Sequence, residues 1–303
     1  MLTTRPLHSD FGTEVLDFDP ARLDEPGYFD ALHQLFETRS VLVLRGQRMN
    51  DEQQVAFSRR FGPLEKTKTG TVGTGTPLVI LTNLDEAGNV IAPSHRQWLE
   101  GLGNQLWHSD SSFKPIPALA SILSARIIPA HGGETEFVSM RAAWQALPDK
   151  LRARVEGRVG VHDYAWSRSL ISPDLMTDAE REELPPVRQA MVRVHPQTGE
   201  KGLYLGSHLA RIEGMNDADG RSLIDELTAF ATREGSSYTH RWQAGDIVIW
   251  DNRFVMHRGR PYAPTLKRLM VRTTVAGDGP TLGQTEEARA VAPASTGRPG
   301  VGL

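Results

Sequence analysis

Cysteine is absent from this 303-residue chain. Disulfides and thiolate metal sites are therefore excluded, and any metal must be held by nitrogen and oxygen. No apolar run approaches the ~20 residues of a membrane-spanning helix, and Met1 to Asp10 lack the apolar core of a signal peptide. A cytoplasmic protein with no membrane partner is expected. Nor is one sign of charge in excess. Net charge is −3, with acids and bases interspersed, so no nucleic-acid partner is expected either. What is present, 39% hydrophobic and 23% charged residues, suits a globular protein of one large domain or two small ones.

The apolar pattern marks a few helices among many short strands. Leu32, Leu35 and Phe36 recur at helical spacing after Pro26-Gly27. Asn50 reads as the N-cap of a helix that stops at Gly62-Pro63, with Asp51 and Glu52 in its first turn. Ser139 can cap another, and Asn216 to Glu234 carries Leu223, Ile224, Leu227 and Phe230 along one side. Strands are expected at 40–44, 78–81, 118–128, 238–242, 247–250 and 269–275, with a hairpin around Gln197-Thr198-Gly199-Glu200. Residues 166–183 read as irregular chain followed by a polar helix after Thr177. This order predicts a mainly β core with flanking helices in one domain over 1–275. Two polar stretches, 66–76 and 85–105, are too long for simple connections and read as lids or as mobile surface loops. From Ala276 onward Gly, Pro, Ala, Ser and Thr dominate, which predicts a poorly ordered tail over 276–303 outside the fold.

The chemistry centres on Asn104-Gln105-Leu106-Trp107-His108-Ser109-Asp110-Ser111-Ser112-Phe113. If that stretch is extended, His108 and Asp110 leave the same face and converge. An isolated pair of this kind is more often a surface turn, with Asp110 as a cap and His108 merely polar. A third ligand would complete a 2-His-1-carboxylate triad, which holds one face of Fe(II) and leaves three positions open. His257, which ends Trp250-Asp251-Asn252-Arg253-Phe254-Val255-Met256-His257 and is delivered by the strand before it, is the candidate. A 2-oxo acid chelating the open face needs a cation for its far carboxylate. Arg268 and Arg272, four apart and facing the same way on an extended strand, offer one, though a solvated basic pair is the commoner meaning of such a spacing.

These motifs together resemble the taurine dioxygenase/2,4-dichlorophenoxyacetate dioxygenase family of Fe(II)- and 2-oxoglutarate-dependent oxygenases. The likeness runs from about Leu7 to Thr274. It is densest in Asn104 to Phe113, Gly132 to Ala143, His195 to Leu205 and Gly245 to Arg272, and is nearer the phenoxyacetate branch. The resemblance implies a double-stranded β-helix (jelly-roll) core, with Fe(II) as cofactor and 2-oxoglutarate and dioxygen as co-substrates. It implies His108, Asp110 and His257 as iron ligands, Thr135 and Arg268 as 2-oxoglutarate contacts, and Arg272 and Asn104 as substrate-facing residues. His208 falls where the phenoxyacetate branch has a histidine near the site, and a hydrogen-bonded structural histidine is an equal reading. Lys66 and Lys68, in the first lid segment, could neutralise a substrate carboxylate, and at least one of them is simply solvated on the plainer reading. The expected substrate is a small anion, an aryloxyalkanoate first and a sulfonate or alkyl sulfate second, and the expected assembly a homo-oligomer. A zinc hydrolase on the same three ligands is the competing class. It would need neither the paired arginines nor Thr135.

Overall fold

A computed structural model describes residues 2–67 and 75–283. Its backbone is a seven-stranded sheet in the order Thr4–Pro6, Thr13–Val15, Val41–Leu44, Ile247–Asp251, Ala120–Ile127, Leu269–Val275, Leu78–Thr82. Only Thr13–Val15 and Val41–Leu44 pair in parallel. A three-stranded sheet, Ser237–His240, Thr135–Ser139 and Val255–Gly259, packs on one face of the large one. A second three-stranded sheet, Leu209–Ile212, Val159–His162 and Val187–Ala190, and the hairpin Val192–Val194/Lys201–Leu203 complete the β structure.

The continuous apolar runs are strands buried on both faces, and the two-residue period of a strand sorts their side chains. Leu42, Leu44, Ile122, Ile247 and Ile249 point to one side, where Leu32 and Phe36 of the helix Tyr28–Arg39 and Phe57 of Asp51–Arg59 cover them. Val41, Val43, Leu123, Val248, Trp250 and Met270 point to the other and meet Phe137 and Val255 of the small sheet. The capping at Asn50 is reciprocal: Asn50 Oδ1 accepts from Gln53 N (2.8 Å), and Gln53 Oε1 accepts from Asn50 N (3.0 Å). The helix Asp217–Ala231 buries Leu223, Ile224 and Leu227 in a separate cluster with Met191, Leu203 and Leu209.

Four expectations need correction. His257 does not lie at the end of the strand that starts at Ile247. The chain turns at Asn252–Phe254 and returns in Val255–Gly259, so His257 sits on the other sheet. His108 and Asp110 do not share a strand: His108 makes one isolated bridge, and Asp110 is already in the following turn. Within the stretch read as irregular, Tyr164–Ser169 is helical, capped by Asp163 Oδ1 on Trp166 N (3.2 Å). The tail is not outside the fold from Ala276 on. Thr281 is buried, its hydroxyl accepting from Ala190 N (2.8 Å) and donating to Gln189 Oε1 (2.6 Å), which pairs a partly buried amide at the sheet edge. Residues 284–303 and Lys68 lie outside the described residues. Among the described residues no helix is long and apolar enough to cross a membrane.

Candidate metal centre and cavity

At one end of the space between the two packed sheets, His108, Asp110 and His257 meet. Each offers a ligand atom, all three within 4.8 Å of one another, and all three residues are buried. His108 Nε2 lies 3.7 Å from Asp110 Oδ1, and His257 Nε2 lies 3.7 Å from Asp110 Oδ2. Those gaps are too long for hydrogen bonds and of the size a shared cation leaves between its ligands. Backbone bonds fix the spacing: His108 N donates to His257 O (3.0 Å) and His257 N to His108 O (2.9 Å).

The protonation states suit a cation. Burial pushes both imidazoles below their ordinary value, that of His257 well below, so both offer neutral nitrogen. His108 Nδ1 faces Leu106 O at 2.7 Å, which assigns the proton there and leaves the Nε2 lone pair free. Burial alone would raise the Asp110 carboxyl. Arg272 and the hydrogen bond from Ser121 outweigh it and hold the acid ionised.

The carboxylate is held by residues to which the sequence reading gave no role. Ser121 Oγ donates to Asp110 Oδ2 (2.7 Å), and Asn252 Nδ2 donates to Ser121 Oγ (2.9 Å). Asn252 Oδ1 accepts from Asp110 N (3.2 Å) and Trp250 Nε1 (2.9 Å). The turn carrying Asn252 is anchored from below. Arg253 Nε donates to Asp251 Oδ1 (2.8 Å) and its Nη2 to Glu37 Oε2 (2.8 Å), all three residues buried. Asn252 was visible in its motif. Ser121 and Glu37 carried no signal, because only tertiary pairing brings them near. Close approach also demands Gly206: at φ 134° a Cβ there would lie 3.1 Å from His108 Cα.

A cavity of about 710 Å3 opens from the triad. Thr135, Arg268, Arg272, Asn104, His208 and Lys66 all line it. Their situations differ. Arg272 pairs with Asp110 through Nη1 and Oδ1, while its Nε is enclosed without a partner. Arg268 has no acid: among the described residues its guanidinium meets only the Tyr262 ring (5.6 Å), and its Nε is enclosed without a partner. Thr135 Oγ1 accepts from Trp242 Nε1 (3.0 Å), which leaves its own proton to donate. His208 is both things foreseen. It faces the cavity, and its Nδ1 contacts Ser167 Oγ at 2.8 Å, with burial and the nearby Arg168 keeping it neutral. Lys66 is exposed at the rim. Within 85–105, expected as the second lid, residues 95–105 form the helix Arg96–Leu102 and the turn after it, and supply one wall. Tyr164 and Arg168, from the unforeseen helix, supply another.

Comparison with known proteins follows the same lines. Residues 3–274 match the family described as taurine catabolism dioxygenase TauD, TfdA family. The chain is 39% identical to the alpha-ketoglutarate-dependent 2,4-dichlorophenoxyacetate dioxygenase of Cupriavidus pinatubonensis, over 91% of this chain and 98% of that protein. It is 34% identical to the (S)-phenoxypropionate/alpha-ketoglutarate-dioxygenase of Sphingobium herbicidovorans, over 90% and 94%. Among solved structures, AAD-2 in complex with Mn(II) and N-oxalylglycine superposes with a TM-score of 0.86 at 40% identity, covering 93% of this chain and 99% of that one.

Proposed function

The chain belongs to the taurine catabolism dioxygenase TauD, TfdA family and is a 2-oxoglutarate-dependent dioxygenase with Fe(II) as cofactor, and on that premise we propose that its substrate is an aryloxyalkanoate. The reaction is hydroxylation of the carbon between the ether oxygen and the carboxylate, giving a hemiacetal that collapses to a phenol and glyoxylate. The chemistry is supported by a His-Asp-His triad opening on a cavity lined by an enclosed, acid-free arginine and by a threonine whose proton is left to donate, and the substrate class by the likeness to dioxygenases of 2,4-dichlorophenoxyacetate and phenoxypropionate. We read the two packed sheets as a double-stranded β-helix forming one catalytic unit, with residues 95–105 as one wall of its cavity.

The donor set fits the metal: two neutral nitrogens and one ionised oxygen on one side, open cavity on the other. When bound, the iron couples decarboxylation of the oxo acid, to succinate and CO2, with oxygenation of the substrate. The protein's part is placement. Arg268 can grip the far carboxylate of 2-oxoglutarate with two parallel N–H donors, and Thr135 can donate a third hydrogen bond. Arg272, Asn104, His208, Lys66 and Lys68 are assigned to the substrate side. Arg272 also neutralises the ligand carboxylate, so both charges sit at low cost in a dry pocket. No residue has to move a proton.

The test is anaerobic addition of Fe(II) and 2-oxoglutarate to metal-free protein, then of an aryloxyacetate with oxygen. A visible charge-transfer band followed by stoichiometric phenol and succinate supports the proposal. Phenol from no aryloxyacetate at all would reject the substrate class, and sulfite or sulfate release in its place would point to sulfonates or alkyl sulfates. Hydrolysis with zinc and no oxo acid would reject the chemistry itself.

A further inference from the structure

We propose that Arg168 binds the carboxylate of the substrate, which makes it the determinant of anion selectivity in this cavity. The proposal rests on the anionic-substrate reading above and deepens it. Arg168 lies on the helix Tyr164–Ser169 and is 8% exposed. Its Nη1 donates to Glu100 O (3.0 Å), its guanidinium lies over the Tyr164 ring (4.6 Å), and its Nε is enclosed without a partner. No carboxylate among the described residues pairs with it. A buried cation without an acid is costly and is explained where a ligand supplies the negative charge.

The surroundings are shaped for that ligand. Gly103 exists to admit the guanidinium, since a Cβ there would fall 2.1 Å from Nη1. Beside the cation stand three rings: Phe113 is 4.5 Å from Tyr164 and 4.9 Å from His208, and Tyr164 stacks on His208 at 5.7 Å. His208 in turn lies 6.4 Å from His108, so this box adjoins the metal ligands. Among the described residues the other cations lining the cavity are otherwise engaged or placed: Arg272 on Asp110, Lys114 on Glu65, Arg96 on Glu180, Arg260 near Glu136, Arg268 against Tyr262 and Lys66 at the exposed rim. Arg268 therefore takes the co-substrate's carboxylate and Arg168 the substrate's, with the aromatic box beside the latter for the aryl ring.

Calorimetric binding of phenoxyacetate and of neutral phenoxyacetamide, to the full chain loaded anaerobically with Fe(II) and 2-oxoglutarate, tests this. Arg168→Gln should weaken phenoxyacetate by about 100-fold while leaving phenoxyacetamide and the 2-oxoglutarate charge-transfer titration unchanged. Arg168→Lys should restore part of the loss. Equal weakening of both ligands, or unchanged phenoxyacetate binding, overturns the assignment. If Arg168→Gln does not fold, Gly103→Ala displaces the guanidinium while keeping every charge, and must show the same split. If the unaltered protein binds neither ligand, the aryloxyalkanoate reading fails. The comparison is then made with an alkyl sulfate against its parent alcohol, where selective loss in Arg168→Gln still supports the anchor and its absence overturns it.

Discussion

Replacing Arg268 by Met should separate co-substrate binding from both metal binding and stability. In the absence of a ligand the guanidinium has no acidic partner, and its Nε is enclosed and unpaired. Burial accordingly pushes its proton affinity below the ordinary arginine value. Removing such a group breaks no ion pair, so the metal-loaded protein should keep its stability to within about 1 kcal/mol. The loss appears only with 2-oxoglutarate. Two charge-assisted hydrogen bonds, at roughly 1.5–3 kcal/mol each, correspond to an affinity lower by about 100- to 20,000-fold. The assay is anaerobic thermal unfolding with Fe(II), with and without 2-oxoglutarate, beside titration of the charge-transfer band. At a concentration 100 times its Kd, the co-substrate stabilises the unaltered protein by about 2.7 kcal/mol. At that same concentration Arg268→Met should gain less than about 0.5 kcal/mol. Iron content must not change. Loss of iron in Arg268→Met equal to that in a ligand variant, or an intact response to 2-oxoglutarate, would refute the reasoning.

Asp110→Ala should abolish turnover through loss of iron, seen as metal content near zero after gel filtration, while 2-oxoglutarate produces no band. Gly206→Ala forces a left-handed backbone on a residue with a Cβ and drives that carbon toward His108 Cα. A destabilisation of about 1–3 kcal/mol and weaker iron affinity are expected, read by denaturant unfolding and metal titration. Glu37 gives an acid limb. Burial would raise its carboxyl, but His195 and Arg253 hold it down to about 2 from 4.5. Its contribution, roughly 3 kcal/mol, is therefore complete above pH 4.5 and lost as the pH falls toward 2. Glu37→Gln should remove that part of the slope in acid unfolding curves, and an unchanged slope would count against the network.

The triad was legible because three residues of two types in two short motifs left little freedom, whereas Thr135 and the co-substrate role of Arg268 came only through the family resemblance. The geometry behind those motifs was not legible. A strand reading of His108 and Asp110 reached the right convergence by the wrong path, since the chain bends at once after Asp110, with Ser111 at φ 55°. The helix Tyr164–Ser169 escaped because a single aromatic-rich turn and a half shows no apolar period, although Asp163 three residues before the capped amide of Trp166 was a usable sign. The pairing of Gln189 with Thr281 was invisible for another reason. A Gly- and Pro-rich composition reports low intrinsic order and says nothing of one hydroxyl that completes a sheet edge elsewhere.

The reciprocal amide bonds between His108 and His257 tie the two imidazoles to a single rung joining a loop to a strand. That rung fixes the two main chains and the Leu106 carbonyl orients the His108 ring, so folding itself brings the ligand positions together. Amide protons at both positions should resist exchange in metal-free protein as strongly as those of the central strands. Change in substrate range can then arise in the walls alone, while the chemistry stays fixed in the frame.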